Sequence, residues 1–283
     1  MSRAPQTPQD WWSTAIVEMR PGMLRFRGYA IEELIGRIGF AEMIWLLTRG
    51  ELPERRHALL LEAALVSAVD HGPQAPSIAV ARMAMTCGVG INNAMASAIN
   101  LLGDVHGGAG EQCVAFFLRI AQRLDARGAT ADGAAVEAAV AAEMTALTEA
   151  GVRHVPGFGH RFHPVDPRAP RLMQLVDEAA RAGTVSGRFA EIARAVEAEL
   201  ARRKGRKIPM NVDGATAVIF AELGFAPALC RGLFVLARSV GALSHAWEES
   251  QSDYRNKGPI PRDLLWTYTG PPARSLPRRS DGE

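Results

Sequence analysis

Residues 151–168, GVRHVPGFGHRFHPVDPR, hold three glycines, three prolines and three histidines, a density that no regular helix accommodates. That stretch must be a shaped loop. It interrupts a chain that otherwise reads as helix. Alanine-rich amphipathic patterns run over 111–127 and 130–150 before it, with a turn at Gly128, and over 169–182 and 186–204 after it. Upstream, Ile31, Leu34, Ile35 and Ile38 recur at helical spacing. The pattern breaks at Gly39 and resumes from Phe40 to Leu47, until Gly50 and Pro53 stop it. Residues 57–70 predict another helix, and 76–102 one long or broken helix whose small side chains allow close packing. A further helix is expected from near Ala215, and one from Pro227 to about His245. The residues that favour strands are scarce, with five tryptophans and three tyrosines, so the fold class expected is all-α.

The balance of 32 basic against 30 acidic residues leaves a formal charge of +2. That is too small to make nucleic acid or an anionic membrane the main partner. Cys87, Cys113 and Cys230 are odd in number and far apart, which points to a reducing compartment rather than a disulfide or zinc-ribbon scaffold. The amino terminus, MSRAPQTPQDWWSTA, lacks the apolar run of a signal peptide, so a cytoplasmic location is expected.

Three short stretches offer chemistry. In NLLGDVHGGAG, His106 stands before paired glycines, where an imidazole can donate a hydrogen bond to a developing oxyanion; an incidental His beside a glycine cap is the plainer reading. In PGFGHRFHPVDPR, His160 supplies a proton donor and Arg168 a guanidinium fork, a pair suited to a substrate with both a carbonyl and a carboxylate. The same stretch offers a rival, a metal site from His154, His160, His163 and Asp166, whose spacing matches no familiar ligand pattern. In IPMNVDG, Asp213 is a lone acid in apolar surroundings, where burial would make it a better proton acceptor; the plainer reading is a helix N-cap. Together, two histidines and a carboxylate can abstract a proton α to a carbonyl and add the enol to a second carbonyl, or run that reaction backwards.

Six blocks in order, RGYAIEELIGRIGFAEMIWLLTRGELP, SAVDHG with PSIAVAR, NLLGDVHGGAG, GFGHRFHPVDPR, PMNVDGA and FVLARSVGALSHAWEE, resemble the citrate synthase family from about Arg27 to Arg274. The resemblance implies a large helical domain, 1–107 with 214–283, carrying a smaller inserted helical domain, 108–213, in a homodimer whose domains close over the site. It implies that His106 holds the acetyl-CoA thioester oxygen as the enol forms, that Asp213 exchanges the methyl proton, and that His160 exchanges a proton with the oxaloacetate carbonyl. His71, Arg168 and Arg238 match its substrate-binding residues, and Arg255 the arginine that reaches a neighbouring subunit's site. Coenzyme A thioester is then a substrate, with oxaloacetate or a related 2-oxo acid, and no permanently bound cofactor or metal is expected.

The chain departs from the family pattern. Gly72 replaces the acid after the DHG-type histidine, the loop from His160 to Arg168 is one residue shorter, and Pro164 stands where a basic residue often meets coenzyme A. Replacement phosphate contacts are sought among Arg161, Arg202, Arg203, Lys204, Arg206 and Lys207. The chain's shortness and the stretches HGGAGEQ, PMNVDGA, HAWEE and YTGPP resemble the citryl-CoA lyase branch, which implies cleavage of citryl-CoA, with His160 accepting the hydroxyl proton. A citrate or methylcitrate synthase is the alternative, and a catalytically silent helical dimer that binds a CoA ester is the second.

Overall fold

The computed structural model describes residues 7–126, 133–258, 260, 261 and 263–275. A one-turn helix α1 (Pro8–Trp11) leads into three antiparallel strands, β1 (Val17–Arg20), β2 (Met23–Phe26) and β3 (Tyr29–Ala30), in the order β1-β2-β3. Everything after them is helix and loop. The helices are α2 (Ile31–Leu34), α3 (Phe40–Arg49), α4 (Arg55–Ser67), α5 (Pro76–Thr86), α6 (Ile91–Asn100), α7 (Ala109–Ala126), α8 (Gly133–Glu149), α9 (Arg168–Arg181), α10 (Arg188–Lys204), α11 (Val212–Glu222) and α12 (Pro227–Ser250).

Most expected helices are present, with shifted ends. Of the first expected helix only the turn of α2 forms, and Gly50 closes α3 in the left-handed conformation. The 76–102 run is two helices: Cys87 caps α5 and Gly90 precedes α6. The α12 helix continues past His245 to Ser250. The expected turn at Gly128 lies outside the described residues.

The core explains how loops from distant parts of the chain meet. Along α7, Cys113, Val114, Phe116, Phe117, Ile120 and Leu124 are buried at helical spacing. In α11 every residue from Gly214 to Ala221 is buried, so this helix is the central rod of the domain. Helices α4, α7, α9 and α10 pack around it. One large apolar cluster joins α3, α4 and α7 to α11 with the first turns of α12, while a small second cluster of Ala75, Ile78, Ala81, Ala98 and Ala242 ties α5 and α6 to the distal half of α12. The loops before α5, α7, α9 and α11 open between these two clusters.

Candidate active site

Those loops line a cavity of about 680 Å³ walled by His71, His106, Arg161, Arg168, Asp213 and Arg238, among others. His106, His160 and Asp213 therefore face one space. Of the seven expected site residues, only Arg255 lies elsewhere, exposed beside Cys87 at a second cavity.

His106 sits in the tight turn between α6 and α7, which closes through Gly103 N–H to the His106 carbonyl at 2.8 Å. Its paired glycines serve the turn before any ligand. A Cβ on Gly107 would meet Leu102 and Phe234 at 3.0 and 3.1 Å, and one on Gly108 the Asp104 carbonyl at 2.7 Å. The Nε2 of His106 accepts the backbone N–H of Ser77 at 3.2 Å and lies 2.9 Å from the Ser77 hydroxyl. Ser77 is in the first turn of α5, so the ring faces the positive end of that helix. Burial, then the Arg238 cation, holds the imidazole below its ordinary value. A neutral ring that accepts at Nε2 carries its proton on Nδ1, leaving a donor for the cavity.

His160 and Asp213 are stitched to each other. Gly159 N–H donates to the Pro209 carbonyl at 2.7 Å, Asn211 N–H to the Gly157 carbonyl at 3.0 Å, and the Asn211 side-chain amide to the Gly159 carbonyl at 2.6 Å. Gly157, at φ +83°, is required here: a Cβ would stand 2.7 Å from both Cys113 Sγ and Gly214 Cα. The α11 helix begins at Val212, ahead of the expected start, and its N-cap is Asn211, whose side chain accepts the N–H groups of Asp213 and Gly214. Asp213 is therefore not the cap. Burial raises its carboxyl above the ordinary value, against the pull of Arg238 and Arg168.

Asp166, which sequence reasoning offered only as a metal ligand, is a brace. Its buried carboxylate takes the Nε and Nη2 of Arg168 at 2.9 Å each, the Arg168 N–H, and the Val212 N–H at 2.9 Å. Although burial alone would raise it, these bonds hold Asp166 at about 2. Arg168 thus enters the cavity wall already fixed in direction, its Nη1 on the Ser67 carbonyl. Arg238, only 5 % exposed, donates Nε to the Ala68 carbonyl and lies 4.9 Å above the Phe234 ring. No acceptor pairs with its outer nitrogens among the described residues, which leaves a buried cation to meet an anion in the cavity.

The rings of His71 and His160 touch, Nε2 to Nε2, at 3.2 Å. His160 Nδ1 accepts two backbone N–H groups, from Phe162 and His163, each at 3.0 Å. The neutral His160 ring therefore carries its proton on Nε2, and His71 Nε2 is the acceptor of that contact. Burial lowers both rings; Arg168, His160 and Arg238 add to this at His71. Behind them, Asp70 accepts the Gly72 N–H at 2.9 Å and is held by His245 at 3.3 Å.

The metal reading is not assembled as expected. His71, His160 and His163 bring one ring nitrogen each within 4.8 Å of one another, but neither His154 nor Asp166 joins them. His160 Nε2, carrying a proton, has no lone pair for a metal in this arrangement. Among the basic candidates, Arg202 and Arg203 are committed to Glu199, whose carboxyl they hold at about 2, while Arg161 is on the cavity wall and Lys204, Arg206 and Lys207 are exposed. Sequence reasoning missed Ser77, Asn211 and the bracing role of Asp166. Pro76 at N1 and the Asn two residues before Asp213 were the available signals.

A helical scaffold whose loops gather two imidazoles, a carboxylate and two guanidinium groups round one cavity has the equipment of an enzyme. Residues 53–262 match the family defined by the C-terminal domain of citrate synthase, and the chain belongs to the citrate synthase family. It is 30% identical over 223 residues to a citrate synthase of Acidithiobacillus ferridurans, covering 76% of this chain and 52% of that protein. It is 27% identical over 220 residues to a 2-methylcitrate synthase of Mycobacterium tuberculosis, covering 76% and 51%. The chain thus spans about half the length of these curated relatives. Among solved structures it resembles citryl-CoA lyase from Hydrogenobacter thermophilus, with 33% identity, a TM-score of 0.79, and coverage of 94% of this chain and 97% of that one. ATP citrate lyase from Methanothrix soehngenii, solved with citrate and coenzyme A, shares the fold at 23% identity and a TM-score of 0.73, with 95% and 43% covered.

Proposed function

We propose that this protein cleaves citryl-CoA to acetyl-CoA and oxaloacetate through an enol intermediate. The observation that carries the reading is the likeness to citryl-CoA lyase, which spans almost the whole of both chains. The cavity's chemistry supports it. Arg238 and Arg168 neutralise and orient the citryl carboxylates; His106 Nδ1–H stabilises the thioester oxygen of the enol; Asp213, kept protonated by burial, returns a proton to the departing acetyl carbon. His160 directs Nε2–H at the oxygen that becomes the oxaloacetate carbonyl. Arg161, Lys204, Arg206 and Lys207 are the remaining candidates for the phosphates of coenzyme A.

The proposal extends to a cytoplasmic homodimer with closure between 108–213 and the rest of the chain. Along one face of α12, Leu236, Val240, Leu243 and Trp247 are 44, 52, 43 and 58% exposed, an apolar stripe suited to a second copy. Arg255, remote from its own cavity, is available to a neighbour's. Among the described residues no helix is long and apolar enough to cross a membrane.

The experiment is to offer citryl-CoA and follow oxaloacetate through malate dehydrogenase while monitoring free thiol. Oxaloacetate release without thiol release supports the lyase. Free coenzyme A formed from acetyl-CoA and oxaloacetate supports a synthase, a reading that the similarity to citrate and methylcitrate synthases keeps in view. Binding of the CoA ester with neither reaction supports the silent dimer.

A further inference from the structure

Cleavage of a tertiary alcohol between two carbonyl groups needs a base for the hydroxyl proton, and the ring with a proton already on Nε2 cannot be that base. His160 is so placed, because its Nδ1 is occupied by the N–H groups of Phe162 and His163. The nitrogen that accepts in this cavity is the other member of the 3.2 Å pair, Nε2 of His71. We infer that His71 is the general base that takes the hydroxyl proton of the citryl group, while His160 donates a hydrogen bond to the same oxygen. This rests on the citryl-CoA cleavage reading and assigns a role within it.

The electron and proton balance closes. The substrate O–H bond breaks and its proton goes to His71 Nε2; the oxygen lone pair forms the oxaloacetate C=O. The carbon–carbon bond breaks, its electron pair becoming the thioester enolate held by His106. Asp213 then gives its proton to the enolate carbon, producing the acetyl methyl group, and before the next cycle His71 releases a proton to solvent as Asp213 regains one. No oxidant or metal is needed.

The surroundings fit a base rather than an imidazolium. The groups that face His71 are His160, His163 and Asp166 from the loop before α9, Arg168 at the start of α9, Arg238 from α12, and Asp70 on its own turn. Arg168 and Arg238 repel a proton on the ring, and Asp166, already paired with Arg168, offsets them only in part. The Asp70 carboxylate, held by His245, fixes the Gly72 N–H and so the turn that aims the ring.

The test compares His71→Gln and His160→Gln in two assays on the full chain. One is citryl-CoA cleavage across pH, read as oxaloacetate; the other is wash-in of deuterium from D2O to the methyl group of acetyl-CoA, which uses only His106 and Asp213. The inference expects His71→Gln to lower kcat for cleavage by about 10²–10⁴-fold, to keep methyl exchange, and to lose the fall in rate on the acid side of the profile. It expects His160→Gln to be slower but to keep that fall. Survival of the acid-side fall in His71→Gln, its loss in His160→Gln alone, or loss of methyl exchange in both His71→Gln and His71→Asn would overturn it. A wild-type protein that neither cleaves citryl-CoA nor exchanges the methyl protons would instead reject the cleavage reading itself.

Discussion

The backbone N–H of Ser77 ends on Nε2 of His106, 3.2 Å away, across a gap of 29 residues. This contact, made at the positive end of α5, fixes which ring nitrogen of His106 faces the cavity and keeps that ring neutral. Substituting His106→Gln is expected to lower kcat for citryl-CoA cleavage about 10²–10³-fold, with a smaller change in KM. Ser77→Ala leaves the N–H in place and should cost less than about tenfold. Steady-state kinetics on both variants checks the difference.

Asp213 is freed from helix capping by Asn211, and burial raises its carboxyl. The Asp213→Asn variant should retain CoA-ester binding yet lose deuterium wash-in to the acetyl-CoA methyl group by at least about 10²-fold, as read by mass spectrometry. Wild-type exchange rates in Asp213→Asn would remove it from the reaction.

Arg238 is a nearly buried cation with one carbonyl partner and its outer nitrogens toward the cavity. Replacing it by Gln should raise KM for citryl-CoA roughly 10- to 100-fold, the worth of a charge-assisted hydrogen bond, and Arg238→Lys should recover part of this. An unchanged KM in Arg238→Gln would show that the substrate carboxylates bind elsewhere.

Asp166 is held at about 2, against 3.8 for an ordinary aspartate. Because the folded value is the lower one, its stabilisation is present above pH 3.8 and is lost as the pH falls toward 2. Denaturant midpoints measured from pH 5 down to pH 2 should fall steeply in the wild type and less steeply in Asp166→Asn. At neutral pH, Asp166→Ala should lower stability by about 3 kcal/mol, the usual cost of breaking a buried ion pair.

Gly157 stands at φ +83° with Cys113 and Gly214 in the place of its missing Cβ. Gly157→Ala should therefore impair both halves of the reaction, methyl exchange and cleavage, because the loop of His160 and the start of α11 share that contact.

The helices were legible wherever apolar spacing persisted, as in α7, α9 and α10. The strands β1 to β3 were not, because overall composition hid a short local signal: Pro21-Gly22 and Arg27-Gly28 bracket a four-residue run that no helical pattern covers. In the site, His106, His160 and Asp213 stood out by type and by flanking glycines. Their supports did not, because Ser77, Asp166 and Asn211 act through backbone N–H groups that are brought close only by the packing of α5, α9 and α11. Asp166 shows the limit plainly: beside two histidines an acid reads as a ligand, whereas in three dimensions its neighbours are a guanidinium and a helix end.

The weave of residues 157–159 with 209–211 has a kinetic meaning. An imidazole and an acid that lie more than fifty positions apart along the chain travel on one stiff crosspiece, so breathing of the molecule leaves their mutual spacing untouched. What such breathing can alter is the gap from that crosspiece to the turn holding His106, which makes alignment of the two halves, rather than assembly of either, the adjustable step of turnover.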